Sequence, residues 1–346
     1  MFKISVSIMK RFLILWPWLL VFAAYAQTGA DKNRSAFSKY VGKYETNGLV
    51  VQVTVHEDAL VLVVPGAPLQ KMIWLGDYKF KSDSYEDALF VFGEKDGRIN
   101  RLESQNPGYS IELEKVSDIA DKLDATDSLL TLTKSTEHFT FLYSELDSVS
   151  ILQLLIRLED DYHRILRDFG LKSLPKTKVR VYPNKEAFHR GINFPSAPDE
   201  LLATAFGKDD FRMTSPSSVN REDSALLVNM VTHEFTHCVH LNINYSPNNP
   251  RWLWEGVANF EAGYFVNPAE IEVVKNKTIP ALSLLNNGLE YELGYVIIEA
   301  IKEIWGFDKV VALIKKRGDT MAVFEVTQND FEKKIYQHIY RKYIEQ

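Results

Sequence analysis

Between residues 36 and 116 the chain repeats one pattern that leaves few folds open. Short apolar, β-branched runs recur roughly every ten residues. They are LVVQVTVH (49–56), ALVLVV (59–64), KMIWL (71–75), YKFKS (78–82), ALFVFGE (88–94), RINRLES (98–104) and YSIELEK (109–115). Turn-forming pairs separate several of them: Pro65-Gly66, Gly76-Asp77 and Asp96-Gly97. Strands this short and this evenly punctuated predict an antiparallel meander or a small barrel.

The pattern then changes. Residues 117–135 are polar and rich in Asp, Ser and Thr, and read as a linker. FTFLY (139–143) and KVRVYP (178–183) read as strands, and DFRMTS (210–215) as a third. Leu146–Phe169 spaces Ile151, Leu154, Leu155, Leu158, Tyr162 and Ile165 three and four apart, which predicts an amphipathic helix ended by Gly170. A short helix is expected over Lys185–Gly191, and mostly helix after residue 215. A small sheet followed by helices is an α+β arrangement. The chain is thus read as an all-β domain (36–116), a linker (117–135) and a mainly helical domain with a small sheet (136–346).

The first residues carry a different signal. Lys3, Lys10 and Arg11 flank the start of the apolar run Phe12–Ala24, and Ala24-Tyr25-Ala26 is a small-x-small cleavage site. This predicts a removable secretory signal peptide over 1–26. The run falls short of the ~20 residues of a spanning helix, so no membrane span is expected in the mature chain. Cys238 is the single cysteine, so no intrachain disulfide forms. An exported chain without disulfides fits a bacterial periplasmic or secreted protein. A formal net charge of −6 gives no electrostatic footprint for nucleic acid, and none is expected as a partner.

Residues 233–240 read HEFTHCVH, with three of the eight histidines in one segment. Arg221–Ile243 is expected as one helix, with Glu222 and Asp223 near its start and Leu227, Met230, Val231, Phe235, Cys238 and Val239 largely buried. At about 100° per residue, His233 and His237 lie about 40° apart and one turn along the axis. Two imidazoles on one helix face can hold one zinc. Glu234 is rotated by about 100° and can reach a water on that metal as a general base. Downstream, Trp252–Tyr264 reads WLWEGVANFEAGY behind Pro250, a residue suited to a first helical turn. Glu255 there would complete a two-His, one-Glu ligand set with a fourth position left for water. Asn259, one turn on, is placed to accept the other ring N–H of a ligating histidine. His240 shares the histidine face, lies a turn beyond His237 and is assigned a supporting or pocket role. Cys238 points away and is read as a small buried hydrophobe.

HExxH followed eighteen residues later by E-G-x-A resembles the gluzincin zinc metallopeptidases, relatives of thermolysin and aminopeptidase N. The segment Pro250–Ala258 is similar in particular to the P-x-W-L-x-E-G-x-A segment of bacterial peptidase MA-like domains. The resemblance covers about 136–346. It implies a zincin-type catalytic domain with His233, His237 and Glu255 as Zn2+ ligands and Glu234 as the base. YELG (291–294), expected to open a helix over Tyr291–Trp305, resembles the Y-E-K-G segment of aminopeptidase N relatives. That likeness implies an oxyanion-stabilising role for Tyr291, with Tyr295 as the fallback. Ahead of the zinc helix there is no G-x-M-E-N segment, the element that grips a free substrate N-terminus in aminopeptidases. A metzincin pattern fails, because it needs Gly at 240 and His at 243 where the chain has His240 and Ile243. FSKYVGKYET (37–46) resembles the opening of the small β-domain appended to β-lactamase-type serine hydrolases, which implies an accessory module.

The expected function is zinc-dependent hydrolysis of peptide bonds in a peptide or protein substrate. Phe211–Ser215 is the expected edge strand for pairing with an extended peptide. The alternatives are an inactive metallopeptidase-like binding protein of the cell envelope and a zinc hydrolase of a non-peptide bond.

Overall fold

A computed structural model describes residues 36–83, 88–106, 109–123, 126–285 and 288–345. The expected signal peptide lies outside them. Among the described residues, no helix is long and apolar enough to cross a membrane. The chain divides into two compact units at residues 123 and 124.

The first unit is a closed antiparallel barrel of eight strands, each paired to its neighbours in sequence: β1 (Gly42–Thr46), β2 (Leu49–His56), β3 (Ala59–Val63), β4 (Gln70–Gly76), β5 (Lys79–Ser82), β6 (Leu89–Lys95), β7 (Arg98–Asn106) and β8 (Tyr109–Ser117). Seven follow the apolar runs. The eighth, β1, is short and polar, and it closes the barrel by pairing with both β2 and β8. At this seam Gly42 has φ +148°, and a Cβ there would stand 2.1 Å from the Ser117 carbonyl oxygen, so only glycine fits. Inward-facing Tyr40, Tyr44, Phe80, Phe90 and Phe92 are buried in the barrel interior. The Tyr40 and Phe92 rings lie 4.7 Å apart, and the Tyr44 hydroxyl donates to the Tyr40 carbonyl at 2.6 Å. Eight strands enclose a space that side chains can fill, and here aromatic rings fill it.

The second unit holds a five-stranded mixed sheet in the order β12-β13-β11-β10-β9. Its strands are β9 (Leu132–Ser135), β10 (Phe139–Tyr143), β11 (Thr177–Tyr182), β12 (Ala203–Gly207) and β13 (Asp210–Thr214). β10, β11 and β13 run parallel, and β9 and β12 are antiparallel edges. Two expectations change here. The segment read as a linker contributes β9 and a 3-10 turn (Thr126–Leu129) to this unit. Asp127 in that turn accepts from Arg180 Nε at 3.0 Å and from the Tyr182 hydroxyl at 2.6 Å, so its polar residues are tied to the sheet. The strand over Phe211–Ser215 is also not an edge. β12, from the apolar stretch LLATAF (201–206), covers it and takes the edge position.

One sheet face packs Phe139, Phe141, Val179, Val181, Phe211 and Met213 into a large core shared with two helices, Ile151–Asp168 and Arg221–Ile243. Tyr182 joins Phe188 and Ile192, from the helix Lys185–Gly191 and its end, in a smaller cluster. The helix expected from Leu146 begins only at Ile151. Before it, buried Asp147 accepts from Ser150 Oγ at 2.9 Å and Ser144 Oγ at 3.3 Å, and also bonds Ser215. Such local side-chain bonds compete with helical ones.

Candidate metal centre

The histidine helix, Arg221–Ile243, is capped by Asn220, whose side chain accepts from the Asp223 N–H at 2.9 Å. Most of its second half is buried, which is why it lacks a clean polar face. The glutamate helix, Arg251–Ala262, packs across it. Pro250 is its N-cap with extended ψ of 150°, one position earlier than a first-turn proline, and Gly263 ends it at φ +73°.

Where the two helices meet, His233, His237 and Glu255 bring ligand atoms together. His233 Nε2 and His237 Nε2 are 3.0 Å apart, and Glu255 Oε2 lies 3.3 Å from the first and 3.6 Å from the second. Four ligands at zinc distances of 2.0–2.1 Å in a tetrahedron are separated by about 3.3 Å. The triangle brackets that edge length, and two imidazole nitrogens with one carboxylate oxygen are donors suited to zinc. The residues present therefore fit this metal.

The protonation pattern agrees with such a site at His237 and Glu255, whereas the His233 proton would have to leave on metal binding. Burial pushes His237 down to about 4, so the ring is neutral at pH 7. Burial works against the Glu255 carboxylate, but hydrogen bonds from His233 and His237 outweigh it and hold Glu255 well below the usual range. Burial also opposes charge on His233, and there Glu255, Glu234 and Asn259 prevail and raise its pKa. A metal ion needs neutral imidazoles and an ionised carboxylate. Glu234, next along the helix, is pushed up to about 7 by burial, with His233 opposing and Glu255 adding to the shift. It accepts a hydrogen bond from the Ala205 N–H on edge strand β12, and its Oε2 has no partner among the described residues.

Asn259 bonds the His233 ring and, through Nδ2, donates to the Tyr291 carbonyl at 3.0 Å. That contact coincides with a break in the helix expected over Tyr291–Trp305. The structure has a short turn, Leu289–Glu292, then a helix from Gly294 to Trp305. A side chain inserted at a carbonyl is a recognised cause of such a break. Tyr291 reaches the centre: its hydroxyl accepts from Arg251 Nη2 at 3.1 Å and hydrogen-bonds Glu255. Burial, then the Glu255 charge, raise its pKa, so the phenol keeps its proton. Tyr295, the fallback, is not at the centre. Its ring packs on Phe260 and Phe265 at 5.1 and 5.3 Å.

His240 is buried beside the ligands but outside the triangle. Its ring lies 4.9 Å from that of Trp254, and its Nδ1 has no partner among the described residues. Cys238 is fully buried, with Sγ 3.7 Å from the Asp210 carbonyl.

Four contributors escape sequence reasoning. Trp254 stacks flat on His237, with centroids 4.1 Å apart and planes 5° from parallel. Arg251 and Glu290 pair at 2.8 Å beside Tyr291. Ala205 lies on β12, which the run LLATAF and the turn after Gly207 mark as a strand. Arg251 also carried a signal, a charged residue in the first turn ahead of Trp-Leu-x-Glu. A search against protein-family models and curated proteins returns no match for this chain.

Proposed function

We propose that the second unit is a zinc-dependent peptidase domain. The reading rests on one observation: His233, His237 and Glu255 present three ligand atoms 3.0–3.6 Å apart, with the Glu234 carboxylate on the adjoining residue. The gluzincin-like motif pair supports it, as does the fit of the triangle to tetrahedral zinc. Zinc held by these residues would supply Lewis acidity to a water and to the scissile carbonyl.

The rest of the chemistry belongs to the chain. Glu234, with a pKa of about 7 and one unsatisfied oxygen, takes a proton from the attacking water and delivers it to the departing amine. Asn259 fixes the orientation of the His233 ring. Trp254 covers His237 and keeps water from that side. Tyr291 retains its proton and, by exchanging its hydrogen bond to Glu255, would donate it to the developing oxyanion. Edge strand β12, which already donates to Glu234 through Ala205, is the strand along which an extended peptide would pair. Export through the N-terminal leader, and an accessory role for the barrel, belong to the same proposal.

The test is metal analysis joined to activity on a peptide library, for wild type and Glu234→Gln. Stoichiometric zinc in both proteins, with hydrolysis only in wild type, is the expected result. A protein that takes up no stoichiometric zinc sinks the proposal.

A further inference from the structure

We propose that Arg251 is a carboxylate-binding residue of this centre, so that the preferred substrate is a peptide ending in a free carboxylate one residue beyond the scissile bond. The inference rests on the peptidase reading above and adds a substrate class to it.

Arg251 stands one helical turn before Glu255, on the same face. Its Nη2 lies 4.0 Å from Glu255 Oε1, the oxygen turned away from the histidine pair. Position and exposure set it apart from the ligands. Its side chain is 45% exposed, whereas those of His233, His237 and Glu255 are 13%, 5% and 6% exposed. With Tyr291 it forms the solvent-facing rim of an otherwise buried cluster.

The guanidinium is held in place from one side. Buried Glu290 takes Nε at 2.8 Å and is itself anchored by the Gly288 N–H at 3.0 Å. Nη2 donates to the Tyr291 hydroxyl at 3.1 Å. The remaining terminal nitrogen, Nη1, has among the described residues one long contact, Asn248 Oδ1 at 3.4 Å. The fork is thus fixed along its Nε edge and open at its Nη1 end. An arginine pre-oriented in this way suits an incoming carboxylate, because planar N–H donors match the two oxygens.

Distance decides which carboxylate. Arg251 Nη2 lies 4.0 Å from Glu255 Oε1 and one extended residue spans about 3.3–3.6 Å, so the guanidinium stands within about one to two residues of a carbonyl reacting beside Glu255. The main-chain carboxylate of the residue after the scissile bond sits at that range. An acidic side chain from the same residue extends sideways from the main chain instead.

The test uses two N-acetylated peptides of one sequence, one ending in a free carboxylate and the other in a carboxamide. Cleavage is measured for wild type, Arg251→Gln and Arg251→Lys. Binding is measured by calorimetry in a Glu234→Gln background, with and without chelator, and zinc content is checked throughout. Wild type should favour the free acid by about 10- to 100-fold in kcat/KM, as expected of a charge-assisted bond, and in the same direction in binding. Arg251→Gln should abolish that preference while changing the amide peptide much less, and Arg251→Lys should restore part of it. Equal handling of acid and amide by wild type, or a preference that survives in Arg251→Gln, overturns the inference. If neither peptide is cleaved but Glu234→Gln still binds the acid more tightly, the hydrolytic reading fails and the role of Arg251 stands.

Discussion

Gly256 and Gly294 touch backbone to backbone: a Cβ on Gly294 would stand 2.8 Å from the Gly256 Cα. These are the glycines of the EGVA and YELG segments, so two of the three motifs quoted for the resemblance meet at one helix crossing. The approach lets Asn259, on the first helix, reach the Tyr291 carbonyl just ahead of the second. Gly294→Ala should therefore push the helices apart, at a cost of about 1–3 kcal/mol for overpacking. It should also weaken zinc binding by loosening Asn259. Urea melts and a chelator competition check both effects, and a variant as stable as wild type would show that the contact yields freely.

This crossing also shows what a single sequence can carry. The convergence of His233, His237 and Glu255 is legible because helical spacing alone puts the first two on one face and the third a turn into the next helix. The barrel is legible from its turn pairs, since each Asp-Gly or Pro-Gly fixes a strand end. What escapes is set by long-range contact. β1 is a strand because Gly42 closes a seam against Ser117. β12 is a local case instead: a two-residue turn at 208–209 joins it to β13. The break before Gly294 arises from a side chain more than thirty positions away in sequence. Arg251 and Glu290 are 39 positions apart, and nothing local announces their pairing.

Asn259 provides the second prediction. It hydrogen-bonds the His233 ring and holds the Tyr291 carbonyl. Asn259→Ala should lower zinc affinity by about 10- to 100-fold, the usual cost of removing an orienting partner. Asn259→Asp keeps an acceptor for the ring and loses only the donor, so its affinity should fall less. Competition with a chromophoric chelator measures both. Equal losses in the two variants would place the effect on the Tyr291 contact instead.

A third prediction concerns a buried charge away from the ligands. Arg164 pairs with Glu261 and also donates to its carbonyl at 2.8 Å, while Asp161 joins Arg164 to Thr232 of the histidine helix. Burial pushes Glu261 up to about 7 despite Arg164. A carboxyl raised in the folded state favours folding below its unfolded value, and that contribution is lost as pH rises through about 7. Arg164→Met removes the counter-ion and should cost about 3–5 kcal/mol at pH 8, where Glu261 is ionised. The loss should shrink at pH 5, where Glu261 is protonated, and Glu261→Gln added to Arg164→Met should flatten the difference. Denaturation midpoints at the two pH values give the comparison, and a loss independent of pH would assign the cost to packing of the arginine stem.

Tyr291 gives the last prediction. Its hydroxyl accepts from Arg251 at 3.1 Å and donates to Glu255, so the proton has to turn from that carboxylate to reach an oxyanion; burial together with the Glu255 charge keeps that proton in place at neutral pH. A donor aimed at charge that develops only in the transition state acts on kcat more than on substrate binding. Tyr291→Phe should thus retain zinc and bind peptide with little change in KM, while kcat falls by about 10²–10³-fold. The same variant removes the Arg251 contact, so the acid-versus-amide preference must be measured beside kcat. A fall in kcat with that preference intact separates oxyanion stabilisation from support of the guanidinium. An unchanged kcat would remove Tyr291 from the chemistry and leave it as a rim residue that positions Arg251.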